Sequence, residues 1–437
     1  MRKTLLLAML LSCAGRVAAG DPPSRYGVDA PELARLGDQA VGVTTLHLVE
    51  HGQIDVLAYD AAKGSAPSVD RSLAVELWYP ALPAPHAPHA VYAASLPSEP
   101  PAPPAHFSIP ALAVRDAQRA GTGHPLVIVS HGYSNDPNAM TWLTENLASK
   151  GYVVAAIRHE DPPITDRTRL AEPLMRRPLD IAFVAQTLQK LLAKEHFVDA
   201  SRTALIGYSM GGYGVLTAAG ATLDPDGGAV KRVPGGLLAP FARGGALRDT
   251  IVVKGLRAVV AIAPAGGGPL ASWGADGVRA IAVPLLLISG NEDRTVDYAT
   301  GARAIFDMAS GAHRYLLTFK GAGHAIGLSP VPDAMRQRLW DEDWFEDPVW
   351  RKDRITAINT HFITAFLDRH VKGDESRDAY LDVPLPESSA GAWPAETPPL
   401  AYDAYSPGTL PITVWKGFQR NHAAGLELLQ AQAVSAP

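Results

Sequence analysis

Apolar residues recur along this chain in two rhythms. Continuous runs of strand length occupy residues 125–130 (PLVIVS), 152–158 (YVVAAIR), 203–206, 257–263 (RAVVAIA), 283–289 (VPLLLIS) and 314–319 (RYLLTF). Between them the spacing changes to three and four residues. Residues 140–150 and 300–309 predict helices, and a third carries apolar positions 181, 184, 188, 191 and 192, with Pro178 in its first turn. A fourth, 355–372, places Ile358, Phe362, Ile363, Phe366 and Leu367 on one face and stops at Gly373. Strands that are apolar on both faces and alternate with helices predict an α/β protein with a mostly parallel central sheet and helices on both faces. Residues 41–49 and 73–79 add two strands ahead of that series.

Three stretches interrupt the rhythm. From 80 to 110 the chain turns to Pro, Ala and His; the expectation is a loop or lid insertion, at about 80–122, without regular structure. His86 and His89 lie inside it, and two histidines with no third ligand nearby read as linker residues rather than a metal site. Residues 222–254 and 327–352 read as cap insertions over the carboxyl ends of the strands, where such sheets bind ligands. Beyond Gly373 a Pro-rich tail, 375–437, runs through Trp415 and Phe418 to a short helical pattern that packs back on the domain.

Composition narrows the function classes. A length of 437 residues suggests two or three domains, and 47% hydrophobic with 19% charged residues supplies a large core. A net charge of −5 without a basic block argues against nucleic acid as a partner. The one cysteine, Cys13, leaves no disulfide framework, CxxC zinc site or catalytic thiol in the body of the chain. Arg2 and Lys3 precede the apolar run 4–11, and small residues follow, which spells a signal peptide over 1–19 and export, with 20–40 as an N-terminal extension. Cleavage after Ala19 leaves a soluble protein; the alternative reads Leu10-Leu11-Ser12-Cys13 as a lipobox with a lipid anchor on Cys13. No run reaches the ~18–20 residues of a transmembrane helix.

The chemistry concentrates at Gly207-Tyr208-Ser209-Met210-Gly211-Gly212, which follows a strand and opens a helix. G-x-S-x-G in that setting lifts Ser209 above the sheet as a nucleophile. A serine hydroxyl needs a base, and the base an orienting acid, in the chain order Ser, Asp or Glu, His. Asp293 follows the strand 283–289, with Glu292 as its rival, and His324 stands in the glycine loop after the strand 314–319. The turn His131-Gly132-Tyr133 follows the strand 125–130, so the backbone N–H groups of Tyr133 and Met210 are the candidate oxyanion donors. His131 reads as a brace of that loop or a pocket residue, and Trp142 as part of an apolar pocket shared with Tyr133, Met210 and the caps.

Ser209, Asp293, His324 and the His131-Gly132 turn resemble the α/β-hydrolase superfamily. The finer resemblance, carried by 41–46, 73–80, 157–161, 177–180 and 366–374, is to bacterial dienelactone-hydrolase-like and platelet-activating-factor-acetylhydrolase-like serine esterases. The pairing of Tyr133 with Ser-Met-Gly-Gly is also similar to cutinase-like polyester hydrolases. The resemblance implies an α/β-hydrolase domain over 41–374, a carboxylic ester hydrolase needing no cofactor, and a small-molecule or polymeric ester as substrate. It also puts His159 near the pocket, against its reading as a core or loop histidine. Serine at the nucleophile position, where dienelactone hydrolases carry cysteine, favours ordinary ester cleavage. Lipase, phospholipase, peptidase, perhydrolase and phthalate or polyester hydrolase activities use the same machinery. A secreted binding module that has lost catalysis is the alternative from another class.

Overall fold

The computed structural model describes residues 27–434 except 28, 99–100, 164–165, 394–411 and 420. Cys13 and the leader lie outside the described residues. Twelve strands, counted among the described residues, form one sheet: β1 Val41–Ile54, β2 Ser68–Leu82, β3 His89–Leu96, β4 Ala105–Arg115, β5 Gln118–Arg119, β6 His124–Ser130, β7 Val153–Arg158, β8 Val198–Tyr208, β9 Leu256–Ile262, β10 Leu285–Gly290, β11 Arg314–Phe319 and β12 Leu426–Ala431. The order across it is β12-β11-β10-β9-β8-β6-β7-β2-β1-β4-β3, with β5 beside β2. From β7 to β11 all neighbours run parallel, while β1 and β2 pair antiparallel and β12 closes the far edge antiparallel to β11.

The apolar runs become central strands because both faces are covered. In β6, Leu126 and Ile128 pack under α2 (Ala171–Lys194) and α3 (Met210–Ala218), while Val127 and Val129 face α1 (Thr141–Ser149) and the helix Lys352–Leu367. α2 begins well before the expected 179, so Pro178 lies inside it. A proline there removes the N–H that would bond the Leu174 carbonyl. The Tyr213 hydroxyl of α3 donates to that carbonyl at 2.8 Å instead, and the helix continues.

Three expectations are corrected. The segment expected to be irregular from 80 to 110 contains most of the β3–β4 hairpin, in which Ala90, Tyr92, Ala94 and Leu96 alternate inward. Pro110 is tolerated because β4 is paired there on one side only. The terminal pattern expected to be helical forms β12; Trp415 and Phe418 are buried just before it, against Phe362. Residues 222–254 enter and leave at the amino ends of the strands instead of rising from their carboxyl ends. α3 runs from the carboxyl end of β8 back down the sheet, so this segment leaves at the opposite end, Val253 N–H bonding Ala218 O at 2.9 Å before β9 begins. No helix among the described residues is long and apolar enough to cross a membrane.

Candidate active site

Ser209 occupies the turn between β8 and α3 with φ 54° and ψ −115°, a conformation that costs a non-glycine residue energy and persists only where the surroundings enforce it. Here its N–H bonds Ile262 O at 2.9 Å and its carbonyl accepts from Ala265 N–H at 2.9 Å. The flanking glycines are steric necessities. A Cβ at Gly207 would sit 2.2 Å from Gly211 O, and one at Gly211 would sit 2.0 Å from Ser130 O.

Ser209 Oγ lies 3.0 Å from His324 Nε2, and His324 Nδ1 lies 2.7 Å from Asp293 Oδ2. Asp293 is buried, and its other oxygen accepts from Thr295 and Val296 N–H at 2.9 and 3.2 Å, which fixes the carboxylate plane. Glu292, its rival by sequence, is more than half exposed and faces Arg294 at 3.9 Å. The His324 ring rests on Tyr208, centroids 5.3 Å apart, and the Tyr208 hydroxyl donates to His324 O at 3.1 Å. Burial pushes that hydroxyl's pKa up, keeping it a donor.

The sequence reading missed the groups that hold this loop. Asp347 accepts from Gly323 N–H at 2.7 Å and from Trp350 N–H at 2.8 Å. Buried Lys352 donates to Ala325 O, and Asn359 Nδ2 donates to Ile326 O at 2.8 Å. A carboxylate and a lysine in an acidic, Trp-rich insertion carried no signature of this role; their partners in the His324 loop lie more than twenty residues away.

Ser209 opens on a cavity of about 650 Å³ bordered by Tyr133, Met210, Leu170, Leu270, His324 and Trp344, with Glu292, Arg294, Asp343, Glu346 and Asp347 at its rim. Met210 is the first residue of α3, so its N–H has no acceptor within the helix. Residues of the 327–352 segment border this cavity and residues of 222–254 do not. Three sequence candidates for the pocket also lie elsewhere. Trp142 is buried, donates to Gly327 O at 3.3 Å and borders a separate groove with Phe107 and Phe345. His131 is buried behind the cavity with Nδ1 2.7 Å from Gly132 O. His159 is buried between Ser130 and Asp180, which agrees with its reading as a core histidine. Among the described residues no group of His, Cys, Asp and Glu is arranged to hold a metal ion.

Residues 115–225 match the family described as PET hydrolase-like. Cutinase est2 of Thermobifida alba is 34% identical over 107 residues, 24% of this chain and 33% of the cutinase. Cutinase 2 of Thermobifida cellulosilytica is 33% identical over 107 residues, 24% of this chain and 38% of its own length. This chain therefore spans little more than a third of the cutinases it matches. A solved ferulic acid esterase from Streptomyces cinnamoneus superposes with a TM-score of 0.48 at 22% identity, covering 79% of this chain and 94% of that one. The parallel β6–β11 core, the strained serine turn between β8 and α3 and the match over 115–225 make this chain a protein of the α/β-hydrolase fold with a PET hydrolase-like segment.

Proposed function

We propose that the protein is an exported serine carboxylesterase. The observation that carries this reading is the continuous line from Ser209 Oγ through His324 to Asp293, at 3.0 and 2.7 Å, opening on a cavity. In this reading His324 Nε2 takes the Ser209 proton as Oγ attacks the ester carbonyl, and Asp293 holds Nδ1–H and steadies the imidazolium. The oxyanion is bound by the N–H groups of Tyr133 and Met210. His324 returns the proton to the departing alcohol, leaving an acyl-enzyme. Water, deprotonated by His324, then adds to the acyl carbon; the bond to Oγ breaks, His324 returns the proton to Ser209, and the acid leaves. No metal or organic cofactor enters these steps. Residues 41–374 form the catalytic unit, and the charged and apolar opening of the chain supports export, by cleavage after Ala19 or by lipidation at Cys13.

A second reading narrows the substrate to polyesters. It is favoured by the likeness of 115–225 to cutinases and to the PET hydrolase-like family.

Ser209→Ala is expected to lower kcat on a p-nitrophenyl ester by about 10⁶-fold while leaving the circular dichroism spectrum unchanged. Retention of wild-type turnover would reject Ser209 as the nucleophile. Failure of the folded wild type to react with a fluorophosphonate probe would favour the binding module. Release of soluble acids from a polyester film, compared with short-chain esters, separates the two substrate readings.

A further inference from the structure

The molecule holds a second Ser-His-Asp array. Ser130 Oγ lies 2.9 Å from His159 Nε2, and His159 Nδ1 lies 2.8 Å from Asp180 Oδ2. All three side chains are sealed from solvent, and none borders the Ser209 cavity. Burial, with Arg177 and Arg71 nearby, holds the His159 pKa well below the ordinary imidazole value, so the ring is neutral. Its Nδ1–H then donates to Asp180, which Arg71 grips with Nε at 2.7 Å and Nη2 at 2.9 Å. Its Nε2 accepts from the Ser130 hydroxyl, which leaves the Ser130 oxygen free to accept in turn.

The donor that it accepts from is Arg177. This fully buried guanidinium places Nη1 3.1 Å from Ser130 Oγ and within hydrogen-bond distance of His131 O, and Nη2 3.0 Å from Gly132 O. Nε donates to Asp161 at 3.2 Å and Nη2 closes the ion pair, so all five N–H donors are used. Asp161 in turn accepts from Ser134 N–H at 2.9 Å, and His131 Nδ1 donates to Gly132 O at 2.7 Å. The carbonyls of residues 131 and 132 are thus turned toward one buried cation. In a trans peptide the following N–H points away from the carbonyl. Tyr133 N–H therefore leaves its peptide on the side opposite Arg177, and Tyr133 borders the cavity that holds Ser209.

We infer that Arg177 is the positioning residue for the oxyanion donor, acting through the peptide between Gly132 and Tyr133; this rests on the esterase reading above. A cation bonded to a carbonyl polarises its amide, so the N–H becomes a better donor as well as a fixed one. The buried Ser130–His159–Asp180 array is the scaffold that holds the guanidinium in register.

The test uses the full chain with Arg177→Lys, Arg177→Gln and the double variant Arg177→Gln with Asp161→Asn, which leaves no buried carboxylate charge unpaired should the single variant fail to fold. Measured on a short-chain p-nitrophenyl ester, kcat is expected to fall about 10²- to 10³-fold with KM within about threefold. Affinity for an alkyl boronic acid, which forms a tetrahedral adduct on serine, should fall in step with kcat. The pH profile of kcat/KM should not move, since His324 is untouched, and Arg177→Lys should recover part of the loss. A folded variant with kcat within about threefold of wild type, or with unchanged boronate affinity, would overturn the assignment to Arg177. Absence of any Ser209-dependent turnover in the wild type would instead remove the esterase reading on which it rests.

Discussion

Asp347 Oδ2 accepts the backbone N–H of Gly323 at 2.7 Å, one residue before His324. The other oxygen of Asp347 holds Val349 and Trp350 N–H at 3.0 and 2.8 Å, so one carboxylate ties the 327–352 insertion to the loop that presents the imidazole. Asp347→Ala leaves these donors without that acceptor. The expected result is a loss of about 1–3 kcal/mol in stability and a fall of at least about tenfold in esterase kcat with little change in KM, since a small misplacement of a reacting group costs rate. Urea unfolding and steady-state kinetics on the same preparation check both; unchanged kcat would show that His324 is positioned without Asp347.

Gly211 admits no side chain. Its Cβ would fall 2.0 Å from Ser130 O and 2.7 Å from His131 O, backbone atoms at the end of β6 and the start of the 131–134 loop. Backbone cannot swing aside as a flexible side chain does, so Gly211→Ala is expected to cost about 3 kcal/mol or more. Thermal unfolding reads this directly, and a melting temperature equal to wild type would contradict the packing described.

Glu145, buried on α1, anchors the hairpin that the composition concealed. Its Oε1 accepts from Tyr92 Oη at 2.7 Å, Leu112 N–H at 2.8 Å and Ala113 N–H at 3.2 Å. Glu145→Ala is expected to destabilise by about 3 kcal/mol or more. Glu145→Gln, which keeps a carbonyl oxygen, should lose less. Hydrogen exchange at Leu112 and Ala113 would report the change, and equal protection in both variants would argue against this anchor.

Acid should destabilise the protein through its buried histidines. Burial, with Lys150 and Arg377 nearby, brings His361 down to about 3 from an ordinary 6.5. Its Nδ1 accepts from Leu33 N–H at 3.1 Å, so the native ring is neutral. Between those values the unfolded chain binds a proton that the native state refuses, and stability falls as pH drops from 6.5 toward 3. Each such group contributes a slope of about 1.4 kcal/mol per pH unit. His131 and His159, also held well below the ordinary value, act in the same direction. Glu50, raised by burial from 4.5 to about 7, acts in the opposite one. His361→Gln isolates one contribution: its urea midpoint should change less between pH 6.5 and 4.5 than that of the wild type, and equal changes would refute a neutral buried His361.

Legibility followed the range of the interactions. The central strands could be read because an uninterrupted apolar run such as 314–319 has no stable home except a strand covered on both faces, and β11 occupies those residues. β3 was hidden because alanine carries weak strand preference, although it fills the inward positions of a hairpin that Tyr92 and Leu96 secure. His159 follows a strand as Tyr133 does, and Trp142 stands in the first turn of α1, yet both side chains are buried away from the Ser209 cavity; neither place tells which way a side chain points. Arg177 and Asp347 could not be read, since their partners are loop carbonyls and amides brought near by packing.

Sequence alone determined the α/β rhythm, the strained serine turn and the order of serine, aspartate and histidine, because these depend on local sterics and on strand and helix periods. It singled out Ser209, Asp293 and His324 by motif and chain order, and gave no sign that Ser130, His159 and Asp180, which follow a different order, form a second array. Both arrays have the same atoms within 3.0 Å of one another. Only the tertiary structure decided which serine opens on a cavity and which is sealed beneath it, because burial is a property of the packed layers rather than of any residue within them.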